Sequence, residues 1–228
     1  MRSSRWNAQG NIYLVTEESP LTAKGVREAV DDTDGILEIL GAGDDWVEIA
    51  IWNPDGSQAE MSGNGTRIAA RWLAQRTGAT DVTVRVGVRE VRARMLDGPL
   101  VEQALGPVVV GLPEETAGVR FTAVDVGNPH AVVEGDPAEL PRIGPLLETH
   151  ERFPERTNVQ VAHWTGDEIV ARVWERGAGE TASSGTSAVA VAAALGGTDV
   201  DVRFPGGPLH VRIEDGRAYL TGPAELES

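Results

Sequence analysis

Two serines stand where a matched pair of proton-transfer groups could be held. The segment E-M-S-G-N-G-T-R at Glu60 to Arg67 returns in altered form as T-A-S-S-G-T-S-A at Thr181 to Ala188. In each copy a small hydroxyl residue (Ser62, Ser184) precedes a glycine, a short polar residue and an Ala-rich stretch that reads as a helix. A Ser-Gly-polar turn opening a helix points backbone N–H groups and the positive end of the helix dipole outward, which suits a carboxylate or phosphate. Two such starts facing one another would hold one anion between side chains on opposite faces.

Three further stretches could carry chemistry. In N-P-D-G-S-Q-A-E-M-S-G-N-G-T-R (Asn53 to Arg67), turn chemistry accounts for Pro54, Asp55 and Gly56. One cap residue would suffice for the helix, so the two glycines around Asn64 suggest backbone brought close to a ligand. In E-R-G-A-G-E-T-A-S-S-G-T-S (Glu175 to Ser187), Arg176 can clamp a carboxylate and a glutamate can receive an ammonium, a combination that suits a zwitterionic amino acid. Neither the P-loop nor the dinucleotide glycine pattern is present. In V-D-V-G-N-P-H-A-V-V (Val124 to Val133), a G-N-P-H turn between apolar strands makes His130 a base or an orienting partner.

Composition narrows the chemistry. The chain has no cysteine, which removes disulfides, thiolate metal sites and thiol nucleophiles together. Lys24 is the sole lysine and lies in an amphipathic segment with a solvated face, so a pyridoxal Schiff base is not expected. Four scattered histidines (His130, His150, His163, His210) have no metal-ligand spacing. No cofactor or metal is therefore expected. A net charge of −15 would repel nucleic acid and anionic membrane. Without a long apolar run or a signal-like start, the expected location is the cytoplasm.

These residues need a scaffold to position them. Alternating runs at 12–16, 35–40, 46–52, 81–86, 122–126, 130–134 and 168–175 read as strands. Helices are expected at 22–32, after Ser62, at 137–150 and after Ser184. The order strand, helix, strands, Ser-Gly turn, helix occurs twice, and Ser62 and Ser184 are separated by about half the chain, as in an internal duplication. The expected class is α+β, with one central helix per half. The boundary is placed in G-L-P-E-E-T-A-G, giving domains 1–112 and 113–228, with the last strand packing back on the first domain.

Taken together, the chain resembles the diaminopimelate epimerase family nearly end to end. The resemblance rests on G-N at Gly10-Asn11, D-G-I-L at Asp34 to Leu37, N-P-D-G-S through S-G-N-G-T-R, G-N-P-H-A-V, F-P-E-R-T-N-V at Phe153 to Val159, E-R-G-A-G-E-T, S-G-T-S-A, F-P-G-G-P-L at Phe204 to Leu209 and L-T-G-P-A at Leu220 to Ala224. It implies two pseudo-symmetric, strand-rich, barrel-like domains, each around a central helix, with an amino acid bound between them. It also implies cofactor-free proton exchange at the α-carbon and a homodimer. Carried over by position, it places substrate contacts at Asn11, Asn53, Asn128, Asn158, Glu175 and Arg176. The α-carboxylate would meet the N–H groups of Gly63, Asn64, Gly185 and Thr186. Beside these, His130, Glu175 or Glu180 could compensate for a weakly acidic hydroxyl by holding a proton near it. The family's two catalytic cysteines fall on Ser62 and Ser184. That departure leaves three readings: a serine-containing isomerase of diaminopimelate, a relative acting on another amino acid such as a proline derivative, or a silent binder or Cys-to-Ser form.

Overall fold

The structure is a computed structural model, described for residues 3–30 and 32–227. The chain divides into two compact units, Met1–Ala104 with Thr221–Ser228, and Leu105–Leu220. The division falls within a strand, eight residues before the expected boundary. The G-L-P-E-E-T-A-G segment is not a linker: it forms an exposed strand and the hairpin after it, and Pro113 is tolerated in a strand of this kind.

The first unit contains β1 (Ser3–Ala8), β2 (Asn11–Thr16), α1 (Ala23–Ala29), β3 (Gly35–Ala42), β4 (Trp46–Trp52), β5 (Gln58–Ala59), α2 (Gly63–Thr77), β6 (Asp81–Val86), β7 (Arg89–Met95) and the start of β8 (Leu100–Pro107). The second contains β9 (Val109–Thr116), β10 (Val119–Asp125), β11 (Pro129–Glu134), α3 (Leu140–Glu148), β12 (Asn158–Thr165), β13 (Glu168–Glu175), β14 (Gly179–Thr181), α4 (Gly185–Ala194), β15 (Asp199–Phe204), β16 (Gly207–Glu214) and most of β17 (Arg217–Pro223). The short β18 (Glu225–Leu226) pairs with β1 and so returns to the first unit.

Strand pairing makes the duplication explicit. β1 and β2 are antiparallel, β2 and β3 parallel, β3 and β4 antiparallel, β4 and β6 parallel, β6 and β7 antiparallel. The same sequence of senses runs through β10, β11, β12, β13, β15 and β16. In each unit the parallel pair β2–β3 or β11–β12 encloses a helix, because parallel neighbours need a crossover. The expected barrel-like layers are open sheets rather than closed ones.

Each unit buries one helix against its sheet. α2 places Ile68, Ala69, Ala70, Trp72 and Leu73 against Val15, Leu37, Ile49, Ile51 and Val84. α4 is made almost wholly of small and β-branched apolar residues, and Gly185 through Ala192 are all buried. A helix apolar all round has no solvent face to offer, which is why it becomes the centre of its unit.

α3 shows how closely such packing is matched. A Cβ added at Gly144 would lie 2.7 Å from Trp174 Cγ and 2.8 Å from its Cβ. Helix propensity favours alanine over glycine by about 1 kcal/mol, whereas overpacking costs about 1–3 kcal/mol. Gly144→Ala is therefore expected to lower the urea midpoint with an unchanged slope, despite being the better helix former. A raised midpoint would mean that Trp174 can move aside freely.

Candidate active site

In the first unit the sequence candidates gather at the start of α2. Ser62 is the N-cap: its extended backbone (φ −142°, ψ 121°) lets its Oγ accept the Gly65 N–H at 3.0 Å. The same Oγ lies 3.2 Å from the Tyr13 hydroxyl. Tyr13 sits two residues beyond Asn11 on β2, and strand alternation puts both side chains on one face. Asn64 donates from Nδ2 to Asn11 Oδ1 at 3.3 Å and receives Arg67 Nη2 on its Oδ1 at 3.0 Å. Asn11 and Asn64 are buried.

The two glycines around Asn64 have different explanations. A Cβ at Gly65 would stand 3.0 Å from Leu37 Cδ2 and 3.3 Å from Ser62 Oγ, so this glycine keeps room for the serine and the core. Gly63 is the first helical residue, where the N–H has no intrahelical acceptor. Asn53 lies apart from this group. It closes its own hairpin, donating from Nδ2 to Ser57 Oγ at 3.0 Å and from its backbone to the Ser57 carbonyl at 2.9 Å.

In the second unit Ser184 is the N-cap of α4 with nearly the same backbone (φ −148°, ψ 126°), but its side chain makes no cap hydrogen bond. It is buried, 4% exposed. Asn128 Nδ2 reaches Thr186 Oγ1 at 3.4 Å, and Asn128 Oδ1 lies 2.9 Å from His130 Nε2. Asn158 acts as a strut: Nδ2 donates to the Pro129 carbonyl at 3.0 Å and Oδ1 accepts the Arg176 N–H at 3.0 Å. Glu175 Oε1 accepts from Thr181 Oγ1 at 2.6 Å. Arg176 is exposed and donates to the Glu155 carbonyl at 3.3 Å. Glu180 is held by Nε and Nη2 of Arg172, each at 2.7 Å, so it is already paired with a cation.

Sequence reading missed four positioning residues. Tyr13 and Gln160 touch candidate residues through pairings distant in sequence, Arg67 bonds Asn64 one helical turn before it and is anchored by the distant Pro223 carbonyl, and Glu148 fixes the E-R-G loop by accepting Gly177 N–H and Trp174 Nε1–H, both at 2.8 Å. Tyr13 and Arg67 left a local signal, the i+2 relation to Asn11 on a strand and the i+3 relation to Asn64 on a helix.

His130 is 1% exposed. Burial pushes its pKa from 6.5 down to about 3, with a smaller downward effect of the Arg176 charge. The ring is neutral at physiological pH. A folded-state pKa below the unfolded one means that the unfolded chain binds the extra proton. The His130 contribution to stability is thus complete above about pH 6.5 and is lost as pH falls toward 3, by about 1.4 kcal/mol per pH unit. His130→Asn is expected to flatten urea-unfolding stability between pH 6.5 and 4 relative to the parent. Equal slopes in both proteins would contradict this.

Lys24, the sole amine on a side chain, is exposed on α1 and pairs with Glu28 at 3.6 Å. That is a solvated surface pair of little energetic weight, in keeping with the amphipathic reading.

A family model described as diaminopimelate epimerase matches residues 122–227. A diaminopimelate epimerase from Pelotomaculum thermopropionicum is 39% identical over 225 residues, spanning 84% of this chain and 80% of that protein. The chain belongs to the diaminopimelate epimerase family. A second member, from Synechocystis, is 34% identical across 97% of this chain and 95% of its own. Among solved structures, a protein described as a predicted epimerase from Pseudomonas aeruginosa superposes with a TM-score of 0.79 at 16% identity, covering 99% of this chain and 96% of that one. A hydroxyproline epimerase from Agrobacterium vitis gives 0.71 at 16% identity, over 99% and 89% of the two chains. At such identities these two show the fold alone. The diaminopimelate epimerase family is one of isomerases. Among the described residues no helix is long and apolar enough to cross a membrane.

Proposed function

We propose that this chain inverts the α-carbon of LL-diaminopimelate to the meso form, with Ser62 and Ser184 exchanging the α-proton and no cofactor taking part. The observation that carries the reading is the duplicated Ser-Gly helix start, each serine an N-cap with matching backbone, in a chain of this family. A helix start favours an anion through its N–H groups and dipole, so Gly63, Asn64, Gly185 and Thr186 are assigned to the α-carboxylate. Glu175 is assigned to the ammonium and Arg176 to the distal carboxylate, a pairing that matches charge at both ends of a diamino diacid. Asn11, Asn128 and Asn158 complete the proposed contacts. Asn53 is the weakest of them, since its side chain already closes a hairpin.

The chemistry asks a hydroxyl to do what a thiol does readily. Thiols ionise near pH 8.5, whereas serine needs help from a neighbour before it can take a proton. The helpers proposed for that task are Tyr13, whose hydroxyl lies 3.2 Å from Ser62 Oγ, and Glu175, which ends β13 and accepts from Thr181 three residues before Ser184. The reading includes a soluble homodimer in the cytoplasm, which size-exclusion chromatography with light scattering would test.

Substrate identity is tested by incubating the protein separately with LL-diaminopimelate, trans-4-hydroxy-L-proline and L-proline and separating stereoisomers by chiral chromatography. The meso product from diaminopimelate alone is expected. Inversion of a proline derivative without inversion of diaminopimelate would replace this substrate with that one, and tight binding of diaminopimelate without product would make the chain a binder.

A further inference from the structure

Five side chains in the second unit form one line of hydrogen bonds, buried except at the half-buried Asn128. Gln160 Nε2 lies 3.0 Å from Ser187 Oγ and 3.0 Å from His130 Nδ1, and His130 Nε2 lies 2.9 Å from Asn128 Oδ1. Asn128 Nδ2 then reaches Thr186 Oγ1. The placement follows from the sheet: His130 and Asn158 are partners on the parallel strands β11 and β12, so Gln160, two residues past Asn158, shares the histidine's face. Ser187 and Gln160 are 0% exposed.

Only two proton arrangements are coherent along this line, because a neutral imidazole carries one N–H and one lone pair. In the first, both Gln160 N–H groups donate, to Ser187 and to Nδ1, and the ring donates from Nε2 to Asn128 Oδ1. Within this line, the one buried side-chain atom without a partner is then Gln160 Oε1. In the second, with the glutamine amide turned, its two N–H groups would be the ones lacking acceptors. Buried orphan N–H groups are rarer and costlier than an undersatisfied carbonyl oxygen. The first arrangement is favoured.

We propose that Ser187, Gln160 and His130 form a buried relay that locks the Asn128 amide with its NH2 group on the Thr186 side, making Asn128 a donor that reads a substrate carboxylate. His130 is then a positioning residue that acts through Asn128 and moves no proton itself. The relay explains why the histidine is buried with both ring nitrogens engaged and has no acidic partner among its hydrogen bonds. It also gives Gln160, which has no contact with any proposed ligand atom, a part in specificity. A turned Asn128 amide would present an oxygen and repel the same carboxylate, and a site built to donate rejects a mismatched group strongly. The carboxylate part of this inference rests on the proposed amino-acid substrate, while the relay itself does not.

The test is 15N NMR of protein labelled at histidine, at pH 7, with the His130 signals assigned by their loss in His130→Asn. A neutral ring protonated at Nε2 is expected. A ring protonated at Nδ1, or an imidazolium, would overturn the relay whether or not the protein turns anything over. Gln160→Leu supplies the functional half. It is expected to raise KM for diaminopimelate roughly tenfold while kcat stays within about threefold, since a locked binding donor is lost and the serines are untouched. An unchanged KM, or an equal fall in kcat, would overturn the positioning role. If the parent protein inverts no diaminopimelate but shows the Nε2–H ring, the substrate reading fails and the relay stands.

Discussion

Replacing Ser62 and Ser184 together with cysteine is expected to raise the rate of inversion of LL-diaminopimelate by about a hundredfold or more, the scale of a well-matched acid–base group. Both positions already hold what a thiolate needs. Each is an N-cap whose backbone opens a helix, and a helix N-terminus lowers a thiol pKa below its ordinary 8.5. Ser62 Oγ also accepts the Gly65 N–H, an interaction that favours negative charge on the side chain. Cysteine adds only a slightly larger atom at each site. Each single variant should remain near the parent rate, because inversion needs a competent group on both faces of the α-carbon. Stopped-time NMR assays of the four proteins check this, and a double variant no faster than the parent would show that the hydroxyls do not limit the reaction.

Arg67→Ala is expected to cost about 3–5 kcal/mol of stability, the largest effect foreseen for a residue outside the apolar core. Arg67 is 0% exposed on α2, and burial pushes its pKa down to about 10, so it is still charged at neutral pH. It has no carboxylate partner among its hydrogen bonds. Instead Nε donates to the Pro223 carbonyl at 2.9 Å and Nη2 to Asn64 Oδ1 at 3.0 Å. Truncation would remove the donors from both acceptors and leave a void beside Asn64. Arg67→Met fills most of that volume and removes the desolvated charge, so it should cost markedly less stability than alanine. The Asn64 to Asn11 link would still lose its anchor. Urea unfolding of the three proteins decides the order: alanine no less stable than methionine would contradict the packing argument.

Strands whose one face is buried were legible because alternation is a local property. The runs at 46–52, 81–86 and 168–175 coincide with β4, β6 and β13. The same holds for the helices that begin at Ser62 and Ser184, where a cap residue and a small-residue helix adjoin in sequence. β9 was hidden because five of its eight residues in succession are exposed, and its Gly and Pro imitate a linker. In the candidate site, serines at helix starts could be read directly, but the partners that position them could not. Arg67 on a helix reads as surface until Pro223 arrives from 156 residues away. Gln160 in a Val-rich strand acquires a role only when β12 aligns beside β11. Asn53 and Asn158 illustrate the same limit: the Asn53 side chain closes its own hairpin on Ser57, whereas Asn158, at the start of β12, braces the Pro129 carbonyl and the Arg176 N–H, partners that only the folded sheet brings to it.

The central claim is two-base inversion by Ser62 and Ser184, and it is tested most directly by early-time turnover of LL-diaminopimelate in D₂O with NMR detection of both stereoisomers. The account predicts one α-deuteron in the meso product and none in the recovered LL substrate, with both inversion and label lost in Ser62→Ala and in Ser184→Ala. Deuterium appearing equally in substrate and product from the first turnover, or inversion that survives either alanine substitution, would contradict it.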